Sequence, residues 1–117
     1  ITPFVQDLES LLSNPTLDYI VLDYPFAYDH KQMMDYINFA IFIDTPLDIA
    51  MARRLLRDSM DQPDAVIQAE LEHYLSRGRF AYLDMLITTK PSCDLIVDGS
   101  LPVHDIVSIL VKSIRNK

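Results

Sequence analysis

Apolar positions along this chain fall into two patterns: short unbroken runs, and single apolar residues spaced three or four apart among polar ones. The runs are Tyr19-Ile20-Val21-Leu22-Asp23, Phe39-Ala40-Ile41-Phe42-Ile43-Asp44 and Asp94-Leu95-Ile96-Val97-Asp98. A run without polar alternation is what a strand covered on both faces shows, so strands are predicted over 19–23, 39–43 and 94–98. The spaced pattern starts with Phe4, Val5, Leu8, Leu11 and Leu12 and predicts a helix over 4–13. Ser13-Asn14-Pro15 stops it, because the residue before proline is pushed out of the α region. Asp29 can cap a short helix over 30–37, with Met33, Met34 and Ile37 on its apolar side. Thr45-Pro46-Leu47-Asp48 starts a helix that runs to Asp58, with Thr45 as N-cap, proline at the first helical position and an acid placed to complete a capping box. Residues 65–89 read as helical, with Gly78 as a point of interruption, and Lys90-Pro91-Ser92 ends them. Gly99-Ser100 then turns the chain into a last helix over 102–114. Strands joined through helices predict an α/β fold with a parallel sheet of three strands flanked by helices.

Length and charge narrow the picture. A chain of 117 residues is one domain, 1–117, and its apolar runs fall below the roughly 18 residues that cross a bilayer, so no membrane partner is expected. Ten Lys and Arg against seventeen Asp and Glu leave a net charge of −7, which repels a polyanion and argues against nucleic acid as a partner. Any anion site is then a local cationic island. The single cysteine, Cys93, excludes an intrachain disulfide, and no charged-then-apolar leader opens the chain; a cytoplasmic location is expected. The chain begins at Ile1, directly before an amphipathic stretch, and reads as part of something longer.

Several side chains can carry chemistry, each with a plainer alternative. Asp23 ends a strand, where ligands of open α/β sheets bind, and one carboxylate there suits a Mg²⁺ that keeps most of its waters; Asp is also a common turn former. Tyr24 and Phe26 in the following loop can stack on a base or close the core. Arg53, Arg54 and Arg57 crowd one helix just after the end of a strand. Guanidinium forks match phosphate oxygens, which favours a functional reading for Arg54 and Arg57, whereas Arg53 is the most structural of the three. The alternative is a solvated face paired with Asp58 and Asp61. Arg77 and Arg79 flank Gly78 as a second anion clamp or a surface turn. His30 lies near the Asp23 loop, within reach of substrate or as an exposed polar residue at a helix start. His30, His73 and His104 have no zinc-ligand spacing, and no serine or cysteine sits in a nucleophile motif. Gly99 lets a flat ring approach the backbone or simply serves a strand-to-helix turn.

These blocks together resemble the uridine kinase and P-loop nucleoside kinase family. The resemblance runs through Leu22-Asp23-Tyr24-Pro25, Ile41-Phe42-Ile43-Asp44-Thr45-Pro46, Ala52-Arg53-Arg54-Leu55-Leu56-Arg57-Asp58 and Asp94-Leu95-Ile96-Val97-Asp98-Gly99, and covers most of residues 19–114. It implies a P-loop NTPase-type sheet, ATP and Mg²⁺ as cofactors, and a small-molecule phosphoryl acceptor. Under it Asp23 is the metal-side acid, Arg54 and Arg57 are the catalytic, phosphate-facing arginines, and Asp98, Gly99 and Ser100 lie by the adenine. Tyr24, Phe26, His30 and Arg79 face the substrate. Two departures stand out. The family's further arginine pair after the Arg-Asp is replaced by Ser59-Met60-Asp61-Gln62-Pro63, and no G-x-x-x-x-G-K-[ST] occurs anywhere in a chain with only two glycines. The chain is therefore expected to be the carboxyl-terminal part of the kinase domain, with the central P-loop strand missing between the strands 19–23 and 39–43. An amino-terminal segment or a neighbouring chain would complete the sheet, and homo-oligomerisation is open. Three function classes follow. The first is an ATP-dependent kinase acting on the hydroxyl of a nucleoside or similar small molecule, inactive as this piece alone. The second is a non-catalytic kinase-like binding module. The third is another doubly wound domain, such as a flavodoxin-like one, in which the arginines form a salt-bridged surface.

Overall fold

In the computed structural model, which describes residues 2–116, the two later apolar runs pair as expected. Strand β1 (Ile41–Asp44) lies parallel to β2 (Leu95–Asp98), with Ile41 opposite Leu95, Phe42 opposite Ile96, Ile43 opposite Val97 and Asp44 opposite Asp98. The pairing continues beyond both ends: Asp94 N–H donates to Ala40 C=O at 2.8 Å and Gly99 N–H to Asp44 C=O at 2.8 Å. Helix α1 (Thr2–Leu12) and the one-turn α2 (Lys31–Met34) precede the sheet. Between the strands run α3 (Leu47–Asp58), α4 (Asp64–His73), a π-helical turn over Tyr74–Gly78, α5 (Arg79–Thr88) and a 3₁₀ turn over Lys90–Ser92. Helix α6 (Val103–Arg115) closes the described chain and packs on β2.

The expected third strand is absent from the sheet, which has two strands among the described residues. Residues 19–23 are irregular, and Val21 is 92% exposed. A strand exists only through hydrogen bonds to a neighbour, and no described segment offers Tyr19–Asp23 one. Apolar composition alone made the run look buried. Smaller corrections share one cause, the recruitment of a capping side chain elsewhere. Pro46 rather than Thr45 occupies the N-cap of α3 and makes no side-chain cap, while the Thr45 hydroxyl packs over Gly99. His30 rather than Asp29 occupies the N-cap of α2 and makes no side-chain cap, while the Asp29 carboxylate accepts a hydrogen bond from Thr89 Oγ1 at 2.6 Å. The long helix is not broken at Gly78. It widens there into a π turn, a form that recurs at functional hinges, and Gly78 itself keeps a helical φ of −59°.

Few apolar side chains are covered. Leu8, Met33, Ala40 and Val97 are the buried ones, whereas Ile43 and Ile96 in the sheet stay about half exposed. The radius of gyration is 16.8 Å, against roughly 13 Å for a compact domain of this length. Helix α6 leaves Val103, Val107, Ile109 and Val111 facing solvent. A chain rich enough in apolar residues for a core therefore holds them in an open frame of helices around a narrow sheet.

Gly99 is the one position in this frame that demands glycine. A Cβ there would lie 1.8 Å from Thr45 Oγ1 and 2.9 Å from Ile43 Cγ2, so the strand end would have to move. Gly99→Ala is expected to destabilise the protein by about 1–3 kcal/mol. Gly78→Ala, whose Cβ would meet Tyr74 Cδ1 at an ordinary 3.5 Å, is expected to leave stability unchanged or raise it by up to about 1 kcal/mol. Urea unfolding midpoints of the two variants measure the contrast.

Candidate functional site

The carboxyl ends of β1 and β2 form a small polar rim. Asp98 Oδ1 accepts from Ser100 N–H at 2.9 Å and from Ser100 Oγ at 2.6 Å, closing the turn that leads to α6. Those two bonds hold the Asp98 carboxyl below the usual carboxylate range, the hydroxyl more than the amide. Arg53 reaches from α3 to donate to Gly99 C=O at 2.6 Å and to Ser100 C=O at 3.3 Å. It is thus a strut between helix and turn, as its place in the sequence suggested. Lys90 Nζ meets Asp44 Oδ2 at 2.7 Å and ties the end of the long helical segment to the end of β1. Gly99 is accounted for by Thr45 packing against it, and exposed Asp98 and Ser100 are the parts of this turn open to a ligand.

Arg54 points away from that rim. It lines an open cleft of about 420 Å³ between α3 and α4, together with Ala65, Val66, Ala69, Glu70 and His73. A second, narrower cavity of about 70 Å³ meets it from the other side, walled by Met51, Tyr74 and Tyr82. Arg54 makes no hydrogen bond or ion pair among the described residues. Glu70 does: the buried Ser59 hydroxyl donates to its Oε2 at 2.7 Å, which fixes the carboxylate at the wall of the cleft. Arg57 turns outward onto Asp58, with Nε to Oδ1 at 2.7 Å and Nη2 to Oδ2 at 2.8 Å. This exposed fork raises the arginine pKa and lowers the aspartate's, chiefly through the hydrogen bonds.

The third group is aromatic. Phe26 stacks on the His30 imidazole with centroids 4.5 Å apart, Tyr24 packs edge-on against Phe26, and the Tyr24 hydroxyl is hydrogen-bonded to His30 Nδ1 at 2.8 Å. Phe4 of α1 stacks on Tyr24 from behind at 5.6 Å. Burial, then the charge of Asp29, pushes the Tyr24 phenol above its ordinary pKa. Between Phe26 and Tyr28 the backbone turns through Ala27 at φ 46°, the left-handed region that a residue with a Cβ rarely occupies. Tyr28 crosses to the start of β2 and donates a short hydrogen bond to Asp94.

Three of the four expected substrate residues, Tyr24, Phe26 and His30, therefore come together. Arg79 does not join them; its guanidinium lies 5.2 Å over the ring of its neighbour Phe80. Asp23 is exposed and makes no hydrogen bond or ion pair among the described residues. Among the described residues, no hydrogen bond, ion pair or ring contact joins Asp23 or the aromatic group to Arg54 or Arg57. No group of three or more His, Cys, Asp and Glu side chains among the described residues is arranged as a metal cage. Sequence reasoning missed Asp94, Thr89 and Lys90. Thr89 and Lys90 sit in a helix stop and Asp94 before a strand, where such residues are ordinary punctuation, so only their partners reveal them.

Proteins named uridine kinase and uridine/cytidine kinase are homologous to this chain. A chloroplastic uridine/cytidine kinase of Arabidopsis thaliana is 29% identical over 100 residues, covering 86% of this chain and 20% of that protein. A uridine kinase of Chlamydia pneumoniae is 27% identical over 97 residues, 83% of this chain and 43% of its own length. One from Staphylococcus carnosus is 29% identical over 102 residues, 85% of this chain and 49% of the relative. The chain thus spans between a fifth and a half of the curated relatives it matches. No protein-family model and no solved structure matches it. No helix among the described residues is long and apolar enough to cross a membrane.

Two measurements check this geometry. Burial first, then the bond to Asp94, pushes the Tyr28 phenol from 10.0 to about 12. A phenol that ionises later in the folded state adds stability that is whole below pH 10 and is lost as pH rises through about 12. Chemical denaturation across that window is expected to show a larger loss in the wild type than in Tyr28→Phe, where only the other raised phenols such as Tyr24 contribute. Arg53→Ala, which frees two carbonyls of the turn, is expected to cost about 1–2 kcal/mol, whereas Arg57→Ala leaves the urea midpoint where it is.

Proposed function

We propose that this chain is the carboxyl-terminal part, residues 1–117, of a single P-loop kinase domain that transfers the γ-phosphoryl group of ATP to the hydroxyl of a nucleoside or similar small molecule. The observation that supports this most is Arg54, a guanidinium with no hydrogen bond or ion pair among the described residues, on the wall of an open cleft, in a helix that follows a strand end. Homology to uridine kinases supports the reaction class. The cleft of about 420 Å³ is in the range that holds a small ligand, with an apolar wall of Ala65, Val66 and Ala69 and a fixed acceptor in Glu70.

In this reading Arg54 binds a phosphate oxygen through its planar fork and holds the transferring group near the acceptor. Arg57 exchanges Asp58 for a phosphate when the nucleotide arrives; its fork is exposed, so little is lost on leaving. The aromatic group of Tyr24, Phe26 and His30 offers a flat face to the acceptor's ring. Asp98, Gly99 and Ser100 border the adenine. Asp23 suits Mg²⁺, which takes one or two carboxylates along with waters and substrate phosphates and does not need a protein cage. When bound, that ion would neutralise charge on the phosphates.

An amino-terminal segment, from the same protein or a neighbouring chain, supplies the P-loop and the strand between residues 19–23 and β1. The half-exposed Ile43 and Ile96, and a Val21 almost wholly in solvent, support such a missing neighbour. These 117 residues alone are expected to turn nothing over. In the complete protein, Arg54→Ala is expected to lower kcat by roughly a hundredfold or more, because it removes a charge placed for the transition state. ATP-dependent phosphorylation of uridine, cytidine and other hydroxyl compounds is the assay, and undiminished turnover in Arg54→Ala and Arg57→Ala together would sink the reading.

A further inference from the structure

The loop 24–30 is not held by the segment that leads into it. Residues 19–23 are irregular, and α2 on the other side has a single turn. Besides the Phe4 ring stacked on Tyr24, two long-range hydrogen-bonded ties hold it. Tyr28 Oη donates to the Asp94 carboxylate, whose Oδ2 also accepts from Ala40 N–H at 2.7 Å, so one side chain joins the loop to the starts of both strands. Asp29 Oδ2 accepts from Thr89 Oγ1 at 2.6 Å, and Thr89, at the end of α5, is 3% exposed. Between these ties Ala27 sits at φ 46°. A residue with a Cβ stays there only where its surroundings over-determine it. One face of the Phe26 and His30 pair remains open, with Phe26 39% exposed.

We propose that Asp94 is a positioning residue: through Tyr28 it holds Ala27 in the left-handed turn and so sets the stacked Phe26–His30 face against which a planar ring ligand lies. Its carboxylate touches no ligand. Asp94 acts because one oxygen of an ionised carboxylate accepts from a phenol and a backbone amide at once, and the charge strengthens both bonds beyond what a neutral carboxamide oxygen gives. This inference rests on the nucleoside-kinase reading for the ligand, but not for the tie itself.

The test uses the full-length protein with ¹³C-labelled histidine. Among the histidines of this chain, His30, His73 and His104, only His30 lies under a stacked ring, so ring current displaces its signals from those of a free imidazole. Expected is that Tyr28→Phe and Asp94→Asn each return the His30 signals toward the free position while those of His73 and His104 stay. Uridine is the ligand probe: it is expected to shift His30 in the wild type, with its Kd raised roughly tenfold in Tyr28→Phe, as misplacement of a binding group does. Should Asp94→Asn unfold, collapsing all three signals, Tyr28→Phe still decides, since it leaves the Asp94–Ala40 bond intact. Unmoved His30 signals in Tyr28→Phe overturn the proposal, as does an unchanged uridine Kd. A wild type whose His30 ignores uridine overturns the ligand role and the nucleoside reading of this loop together, while the variant spectra separately report whether the Asp94 tie exists.

Discussion

A β-strand cannot satisfy its own backbone, and in this chain the only described partners are β1 and β2, four residues each. Their pairing fixes where the rest can go. At the carboxyl ends it brings Thr45 against Gly99, so that Arg53 reaches the turn and Lys90 reaches Asp44. At the amino ends it brings Ala40 beside Asp94, which then captures Tyr28. These two pairs are five residue steps apart, about 17 Å at the rise of a strand. The turn braced by Arg53 and the tether of the aromatic loop therefore lie at opposite ends of one short sheet.

Much of this architecture was legible in the sequence where a pattern and its partner both lie in the chain. The runs at 39–43 and 94–98 became β1 and β2 because each had the other, and α3 ends at Asp58 as its proline start and apolar spacing imply. The run at 19–23 has the same composition and no partner, so the rule that reads a strand from apolar residues reached its limit there. It describes a preference for burial, not the presence of something to be buried against.

Side-chain roles divided similarly. The grouping of Tyr24, Phe26 and His30 followed from position, since they share one loop, whereas Arg53 was expected to be structural but its partner, 46 residues away, was not legible. The Thr45 and Asp29 caps failed because each side chain is engaged by a residue more than forty positions away, Thr45 by Gly99 and Asp29 by Thr89. Local capping rules see only the near competitor. Arg79, expected at the substrate as one arm of a clamp flanking Gly78, lies instead against Phe80.

The span of these ties also bears on how the molecule comes together in time. Tyr28 and Asp94 are 66 residues apart, Asp29 and Thr89 are 60, and Arg53 and Gly99 are 46. Helices α3 to α5, built from contacts a few residues apart, can form as soon as their own sequence is free. Closing the long loops comes afterwards, at an entropic cost that local contacts do not bear. On a ribosome, the aromatic loop would emerge early and wait, its Tyr28 and Phe26 in water, until β2 had been made. The order of synthesis thus leaves the placing of this aromatic loop dependent on one of the last-made strands of the chain.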